Sequence, residues 1–300
     1  DKEKVGKAFD LAWTFGLNMV HWIKVPKSNV IVRQGPLYDG IGKYLKGMVE
    51  PVAERPVEEL EKEILAELKN SEAQIIVNYL PVGSQKAVEF WANIAIKSRC
   101  AFINAMPVFI ASDRKWAEKF QKAGVPIIGD DMKGMLGATI VHRVLAKLTV
   151  DRGAELSNTY QLNVGGNTDF INMLERERLV SKKISKTESV QSQLEVPLDS
   201  GHIHIGPSDY VKFLGNTKIA FMRLRGKMWA DIPYDIEVKL EVDDKANAGG
   251  IIADAVRIAK VALERKVGGA LVGPSAYLMK HPPLQMPDSE AHVELEKFFS

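Results

Sequence analysis

Lys182 and Lys186 stand four residues apart, close behind the run Asn163-Val164-Gly165-Gly166-Asn167-Thr168-Asp169. That spacing stacks two side chains on one helix face. Two glycines among amides and a carboxylate allow backbone to come close to a ligand. Ser185-Lys186-Thr187-Glu188 has the Ser-x-x-Glu form of a capping box, which predicts a helix starting after Ser185. Lysines just before and just inside a helix start meet the positive end of its dipole. A bound anion, a phosphate for instance, would relieve that repulsion. The alternative is a solvated basic turn.

Further lysines and carboxylates stand where chemistry could use them. Lys218 follows Gly215-Asn216-Thr217, and Lys280 follows Ala276-Tyr277-Leu278-Met279 and precedes His281-Pro282-Pro283. Asp169 closes the glycine-amide run, and Asp244 stands between an expected strand and a helix starting near Asn247. Taken singly, each is more often a surface charge. Converging on one pocket, lysines depress one another's pKa by like-charge repulsion. A neutral lysine can then serve as a base while charged neighbours hold a phosphate or an enolate. Other chemistries are poorly supplied. His202-Ile203-His204 puts two imidazoles on one strand face without a clear third metal ligand. His142 sits on an expected helix and reads as a structural histidine with a hydrogen bond. No Gly-x-Ser-x-Gly elbow or Walker loop is present, and no Gly-x-Gly-x-x-Gly precedes the first alternating segment.

The elements that must position these groups alternate along the first half. Strands are expected at 73–80, 101–105 and 125–129, with helices at 85–98 and 115–123. Strand-helix-strand at this spacing argues a parallel sheet with crossover helices, whose ligands collect at the carboxyl ends of strands. Asn78, Asn104, Asp130 and Asp131 fall at those ends. A strand running into a turn is expected over 28–36, and an acidic helix within 51–70. Another helix is expected over 137–148, with an apolar stripe of Ile140, Val141, Val144, Leu145 and Leu148. The period then changes to two at 218–225 and 236–242, the pattern of half-buried antiparallel strands. A second domain is therefore expected, built on a sheet with one covered face, the cover being helices or another subunit. Residues 248–265 form a long amphipathic helix expected to return to the first domain.

Composition bounds the partners. The chain has 300 residues and a net charge of +2, so bulk charge predicts neither nucleic-acid nor membrane binding. A single cysteine, Cys100, excludes an internal disulfide framework and suits a reducing cytosol, so a cytoplasmic location is expected. No apolar run approaches the roughly 20 residues of a spanning helix. The opening Asp1-Lys2-Glu3-Lys4-Val5-Gly6-Lys7 reads as the loop and helix that follow a first strand, and that strand is expected upstream of the sequence given.

At these residues the chain resembles the myo-inositol-1-phosphate synthase family, also called inositol-3-phosphate synthase, in its bacterial and archaeal branch. The motifs are Gly129-Asp130-Asp131-Met132-Lys133 with Gly137-Ala138-Thr139 and His142-Arg143, and the Asn163 to Asp169 run. They continue with Leu174-Glu175-Arg176-Glu177-Arg178-Leu179, Ser181-Lys182-Lys183-Ile184-Ser185-Lys186-Thr187 and Ile205-Gly206-Pro207-Ser208-Asp209. Tyr79-Leu80-Pro81-Val82-Gly83-Ser84, Asn104-Ala105-Met106-Pro107 and Ala276-Tyr277-Leu278-Met279-Lys280 also match, so the resemblance covers nearly the whole chain.

The resemblance implies an α/β fold, with a Rossmann-like NAD-binding domain over 1–135 and an α+β catalytic and tetramerisation domain over 136–243. The second sheet would be largely antiparallel, and 244–300 would return to the first domain. It implies a cytoplasmic homotetramer acting on a sugar phosphate, with NAD and room for a divalent or monovalent cation, but no dedicated metal ligands. The reaction would convert D-glucose 6-phosphate to 1D-myo-inositol 3-phosphate by oxidation, enolisation, aldol closure and re-reduction. By motif, Lys182, Lys186, Lys218, Lys280, Asp131, Asp169 and Asp244 would be catalytic, and Asn163, Gly165, Asn167 and Gly134 would bind substrate. Tyr79, Pro81, Gly83, Asn104, Asp130 and Asp131 would bind NAD. Lys182 would shuttle protons, and the other three lysines would grip phosphate and carbonyl oxygens. Two departures stand out. The family's glycine turn for the pyrophosphate and its ribose-binding acid are expected upstream of Asp1, and Gly134 replaces a serine common in the family. Two rival readings are a net-redox NAD-dependent dehydrogenase of the same architecture and a non-catalytic assembly relative.

Overall fold

The computed structural model describes residues 1–11 and 26–300. Helix α1 (Val57–Asn70) starts behind Pro56 with Glu58 and Glu59 in its first turn, where acidic groups oppose the dipole. Strand β1 (Ile75–Asn78), α2 (Gln85–Ser98), β2 (Ala101–Asn104), α3 (Arg114–Ala123) and β3 (Pro126–Gly129) then alternate as the sequence pattern predicts. Asp113 caps α3 by accepting from the Trp116 amide, and Gly124 ends it at φ 65°, a left-handed conformation that glycine adopts freely. The strands are parallel, and their register sets Asn78 beside Asn104 and Asn104 beside Gly129. All three strand ends therefore reach one level.

The chain continues through α4 (Ala138–Asp151), β4 (Glu155–Gly165), α5 (Thr168–Asn172), α6 (Val180–Gln191), β5 (Ile203–Tyr210), β6 (Thr217–Lys227) and β7 (Pro233–Asp243). It closes with α7 (Asp244–Glu264), β8 (Gly269–Ala270), α8 (Val272–Leu278) and α9 (Asp288–Phe299). Among the described residues two sheets form, ordered β1-β2-β3-β8 and β5-β4-β6-β7. The first is parallel throughout. In the second, β6 runs antiparallel to β4 and β7, while β5 is parallel to β4.

The first sheet is covered on both faces, which is why its strands read as unbroken apolar runs. Phe102 and Ile127 pack with Val88, Ala92 and Phe120 from α2 and α3. Ile103 and Ile128 pack with Ile251, Ala255 and Ile258 of α7. Each such side chain, fully withdrawn from water, contributes about 1.5–3 kcal/mol. The second sheet buries one face, with Leu156, Ile205 and Leu224 against Ala146 of α4 and Val190 of α6. Its other face leaves Leu162 and Phe221 exposed.

Three expectations fail locally. No strand forms over 28–36. Ile31 makes a single isolated bridge to Ala8, and the apolar Val30 and Ile31 stay exposed with no sheet face to bury them. Helix α6 starts at Val180, not after Ser185, and follows directly from the 3-10 turn Arg176–Leu179. Ser185 is buried in mid-helix, and its hydroxyl donates to Asp131 Oδ2 (2.6 Å) in place of a backbone cap. The apolar stripe of α4 does not all face inward, since Val144 and Leu148 are exposed. The buried face carries Thr139, His142, Arg143 and Ala146, and His142 and Arg143 are accommodated there by buried hydrogen-bond partners.

Candidate active site

The carboxyl ends of the first sheet are tied together by side chains. Asn78 donates to Asn104 Oδ1 (2.7 Å), and Asn104 donates to Asp130 Oδ1 (2.7 Å). Asp130 also accepts from the amides of Ile110 (3.0 Å), Ala111 (3.1 Å) and Ser112 (3.0 Å) and from the Ser112 hydroxyl (2.8 Å). Burial pushes its carboxyl up to about 6 against the pull of these donors. Asn104 and Asp130 thus form a floor beneath the site. Above it opens a cleft of about 660 Å³ whose wall includes Tyr79, Pro81, Met106, Pro107 and Asp131. Gly83 stands apart from that wall. Its φ is 89°, and its carbonyl accepts from Arg178 Nη2 at 3.3 Å.

On the opposite wall the four lysines and three aspartates converge from elements far apart in sequence. Lys182 and Lys186 come from α6, Lys218 from β6, Asp244 from the first residue of α7, and Lys280 from the segment after α8. Three ion pairs form: Lys182 with Asp169 (3.0 Å), Lys218 with Asp244 (2.9 Å) and Lys280 with Asp131 (3.0 Å). Asp131 sits at φ 60° just past β3, and its carbonyl takes the Lys280 amide (2.7 Å). The segments 130–133 and 278–281 pair there as a short antiparallel ribbon.

Lys186 is different. It is buried and makes no hydrogen bond or ion pair among the described residues. Burial, then the ammonium groups of Lys182, Lys218 and Lys280, hold its amine well below the ordinary lysine range. Burial also draws Lys182 down, but the charges of Asp169 and Asp131 outweigh it and raise its pKa. Burial alone would raise Asp131 and Asp244, yet Lys280 and Lys182 hold the first down and Lys218 the second. The cluster therefore contains three ion pairs and one lysine, Lys186, whose amine is depressed and stands outside them, whereas Lys182, the expected proton shuttle, is paired and raised.

The glycine-amide run serves the protein's own packing. A Cβ on Gly165 would lie 2.4 Å from the Phe170 ring, and one on Gly166 would lie 2.4 Å from the Gly215 amide nitrogen. These glycines admit neighbouring protein atoms where ligand approach was expected. Asn167 caps α5 by accepting from the Asp169 amide (3.0 Å). Asn163 accepts from Gln161 Nε2 (2.9 Å), and its own Nδ2 is buried without a partner. Gln161 and Asp169 line the cleft directly, as does Gly134, whose added Cβ would lie 2.9 Å from Asn247 Nδ2. The Asn247 side chain spans the Leu136 amide (2.9 Å) and carbonyl (2.8 Å), and so holds the loop before α4.

Behind Gln161, His142 contacts Thr159 Oγ1 at 2.6 Å and Gln161 Oε1 at 3.3 Å, in line with its structural reading. Burial pulls its pKa down to about 4. The unfolded chain binds that proton near pH 6.5 and the folded chain only near 4, so stability is lost as pH falls through this window. The loss is about 3 kcal/mol. Asp130 offsets most of it below pH 6, because its raised pKa makes the folded state bind a proton first. Denaturant titrations should therefore show His142→Gln gaining about 3 kcal/mol relative to wild type between pH 6.5 and 4. A stability difference between the two that does not change with pH would refute this assignment.

Sequence reasoning missed Ser185, Gln161 and a buried charge centre. Lys133 donates to Asp288 Oδ1 (2.9 Å) and the Ala276 carbonyl (2.8 Å), and Arg143 donates to Asp288 Oδ2 (3.1 Å). The available signal was a lysine and an arginine inside otherwise apolar or small-residue stretches. His202 bonds Asn158 Oδ1 (2.8 Å), and among the described residues no group of three or more His, Cys, Asp or Glu could hold a metal ion. No described helix is long and apolar enough to cross a membrane.

Comparison with known proteins agrees with this arrangement. The family model described as myo-inositol-1-phosphate synthase matches residues 137–245, which include α6 and the lysines Lys182, Lys186 and Lys218. The inositol-3-phosphate synthase of Mycobacterium tuberculosis (strain CDC 1551 / Oshkosh) is 52% identical over 301 residues, covering 99% of this chain and 80% of that protein. The inositol-3-phosphate synthase of Corynebacterium glutamicum is 47% identical over 306 residues, covering 99% of this chain and 82% of that protein. In fold, the chain superposes with TM-score 0.82 on the crystal structure of a myo-inositol-1-phosphate synthase-related protein from Thermotoga maritima, at 21% identity over 99% of this chain and 84% of that one. Near-complete coverage at about half identity decides the assignment: the chain belongs to the myo-inositol-1-phosphate synthase family, the isomerases classed EC 5.5.1.4.

Proposed function

We propose that this cleft converts D-glucose 6-phosphate to 1D-myo-inositol 3-phosphate without net redox change. The observation that carries the reading is one buried lysine, Lys186, outside the three ion pairs that surround it and held well below the ordinary lysine range by burial and by their ammonium groups. The apolar wall of Tyr79, Pro81, Met106 and Pro107 at the strand ends fits NAD, which when bound supplies reversible oxidation at carbon 5. With carbon 5 as a ketone, the proton on carbon 6 becomes acidic. Lys186, its amine held well below the ordinary lysine range beside three cations, is the group assigned to accept it. The enolate oxygen faces ammonium groups already oriented by Asp169, Asp131 and Asp244, so little reorganisation is needed as charge develops. Carbon 6 then attacks the carbon 1 aldehyde. The ammonium of Lys186 returns its proton to the carbon 1 oxygen, which balances the step.

The phosphate is assigned to Lys218 and Lys280 and to the start of α4, where Gly134, Gly137 and Ala138 line the cleft and no side chain caps the helix. Backbone amides there would take the place of the family's serine hydroxyl. The unpartnered Asn163 Nδ2 supports a substrate oxygen as its acceptor. Residues 1–135 would carry the cofactor and 136–243 the chemistry, with 244–300 closing the cleft through Asp244 and Lys280. The exposed Leu162 and Phe221 on the second sheet support assembly through that face as a homotetramer.

Full-length protein given glucose 6-phosphate and catalytic NAD should form inositol 3-phosphate, read by phosphorus NMR, with no build-up of NADH. Stoichiometric NADH would establish a plain dehydrogenase instead. Calorimetry showing no binding of either NAD or sugar phosphate would favour a non-catalytic relative.

A further inference from the structure

The buried charge centre behind the lysine cluster belongs to no step of the proposed reaction. Lys133 and Arg143 are essentially inaccessible, at 1% and 0% side-chain exposure, and share a single carboxylate, Asp288, on the last helix. Arg143 directs the rest of its guanidinium to two other segments. Nη1 donates to the Ser189 carbonyl (3.1 Å) and hydroxyl (3.0 Å), and Nη2 donates to the Met286 carbonyl (2.8 Å). Ser189 lies on α6, one turn past Lys186. Lys133 holds the carbonyl of Ala276 near the end of α8, and its amide pairs with the Leu278 carbonyl (2.9 Å), two residues before Lys280. One carboxylate thus joins the helix that carries Lys182 and Lys186 to the ribbon that carries Lys280.

We propose that Asp288 is a positioning residue for the active-site lysines. By neutralising Lys133 and Arg143 it keeps two buried cations side by side, and through them sets the distance between α6 and the 278–281 strand. Without it the cations repel in a low-dielectric interior, where such repulsion is poorly screened. Their separation would draw α6 and the Lys280 ribbon apart. A displacement of about 1 Å at a distance from the chemistry can cost a hundredfold in rate. The inference rests on the synthase reading above.

The test follows from the two cations. Asp288→Asn keeps the shape and removes the charge. Compared with the parent at the same pH, its kcat should fall about tenfold or more on the acid side of neutrality, where Lys133 keeps its proton. The groups facing Lys133 are Arg143 from α4, Asp288 from α9 and Lys280 from the ribbon. Burial, with Arg143 next, already lowers Lys133 to about 8, and losing Asp288 lowers it further. Raising the pH therefore neutralises Lys133 and relieves the repulsion, so the deficit of Asp288→Asn should shrink as pH rises. Adding Lys133→Met should restore activity at that acid pH, because one buried cation then remains. A merely structural role would give a loss independent of pH, deepened by the second substitution, and that result would overturn the proposal. Should Asp288→Asn not fold, Ser189→Ala removes only the arginine's hydroxyl contact with α6. It should lower kcat about threefold, a loss of one ordinary hydrogen bond; unchanged kcat would also overturn the proposal. Wild-type protein assayed alongside separates the two claims. If it forms no inositol phosphate, the synthase reading fails, whereas active wild type with an equally active Asp288→Asn removes only this inference.

Discussion

Replacing Lys186 by methionine should lower turnover by about a thousandfold, within the usual range for a lost general base. The fold should survive intact. An amine buried without a partner is a cost to the folded state, and methionine of similar length removes it. The thermal midpoint of Lys186→Met should therefore equal or exceed that of the parent. Sugar-phosphate binding should persist, because Lys182, Lys218 and Lys280 keep their ammonium groups and their carboxylates. The pH profile gives a second reading. The protonated amine cannot accept a proton, so activity in the parent should fall as pH drops through the depressed pKa of Lys186. Lys182→Met should behave differently, with weakened binding and lower stability, since it strands Asp169 and removes a cation from the cleft. Near-parental kcat in Lys186→Met, beside an inactive Lys182→Met with normal binding, would return the proton-moving role to Lys182.

The first sheet was legible because its strands are buried on both faces and its helices carry strong stops at Arg99 and Gly124. The strand ends were legible for the same reason, and Asn78, Asn104 and Asp130 do meet there. Parallel pairing of β5 with β4 was not, since pairing direction leaves no mark on a single strand. Where local pattern and tertiary partner competed, the partner won. Ser185 satisfies a capping motif on paper, but the Asp131 carboxylate offers its hydroxyl a charge-assisted bond that a backbone amide cannot match. On α4 the apolar stripe implied one buried face, and hydrogen-bonded His142 and Arg143 occupy much of the real one.

The site was legible as a set of residues and illegible as a circuit. Spacing placed Lys182 and Lys186 on one face, yet gave no means of knowing that Asp169 would pair with the first and leave the second without a partner. That difference decides which amine is depressed and which is raised. It depends on distances between segments separated by up to 149 residues, as in the Lys280-Asp131 pair. The two glycines show the same limit. Their type signals close approach, and only the packed structure shows that Phe170 and Gly215 are what approaches.

Asp131→Asn should destabilise the protein by about 3–5 kcal/mol at neutral pH, the usual cost of removing one member of a buried pair. Position 131 has φ 60°, a conformation asparagine tolerates about as well as aspartate, so the backbone contributes little to the loss. What changes is charge. Asp131 is 3% exposed and accepts from Lys280 Nζ and Ser185 Oγ together. An amide can accept from one of them, but it offers Lys280 no countercharge. Burial and Lys218 already lower Lys280, and Asp131 is the group that raises it. The substitution therefore depresses Lys280 further in the folded state while the unfolded value stays near 10.4. A depressed folded pKa gives stability that is present above the unfolded value and lost as pH falls. The penalty of Asp131→Asn should thus be largest near neutral pH, where the parent's Asp131 is ionised and Lys280 is charged, and shrink toward pH 10. Urea titrations at pH 6 and 9 measure it. Asp169→Asn is the control, because its carboxylate is 33% exposed and water can stand in for it. Equal losses in the two variants, or an Asp131→Asn loss that does not shrink with pH, would mean that Asp131 is one surface-like partner among several. A larger, pH-dependent loss makes it the carboxylate on which the ammonium arrangement depends.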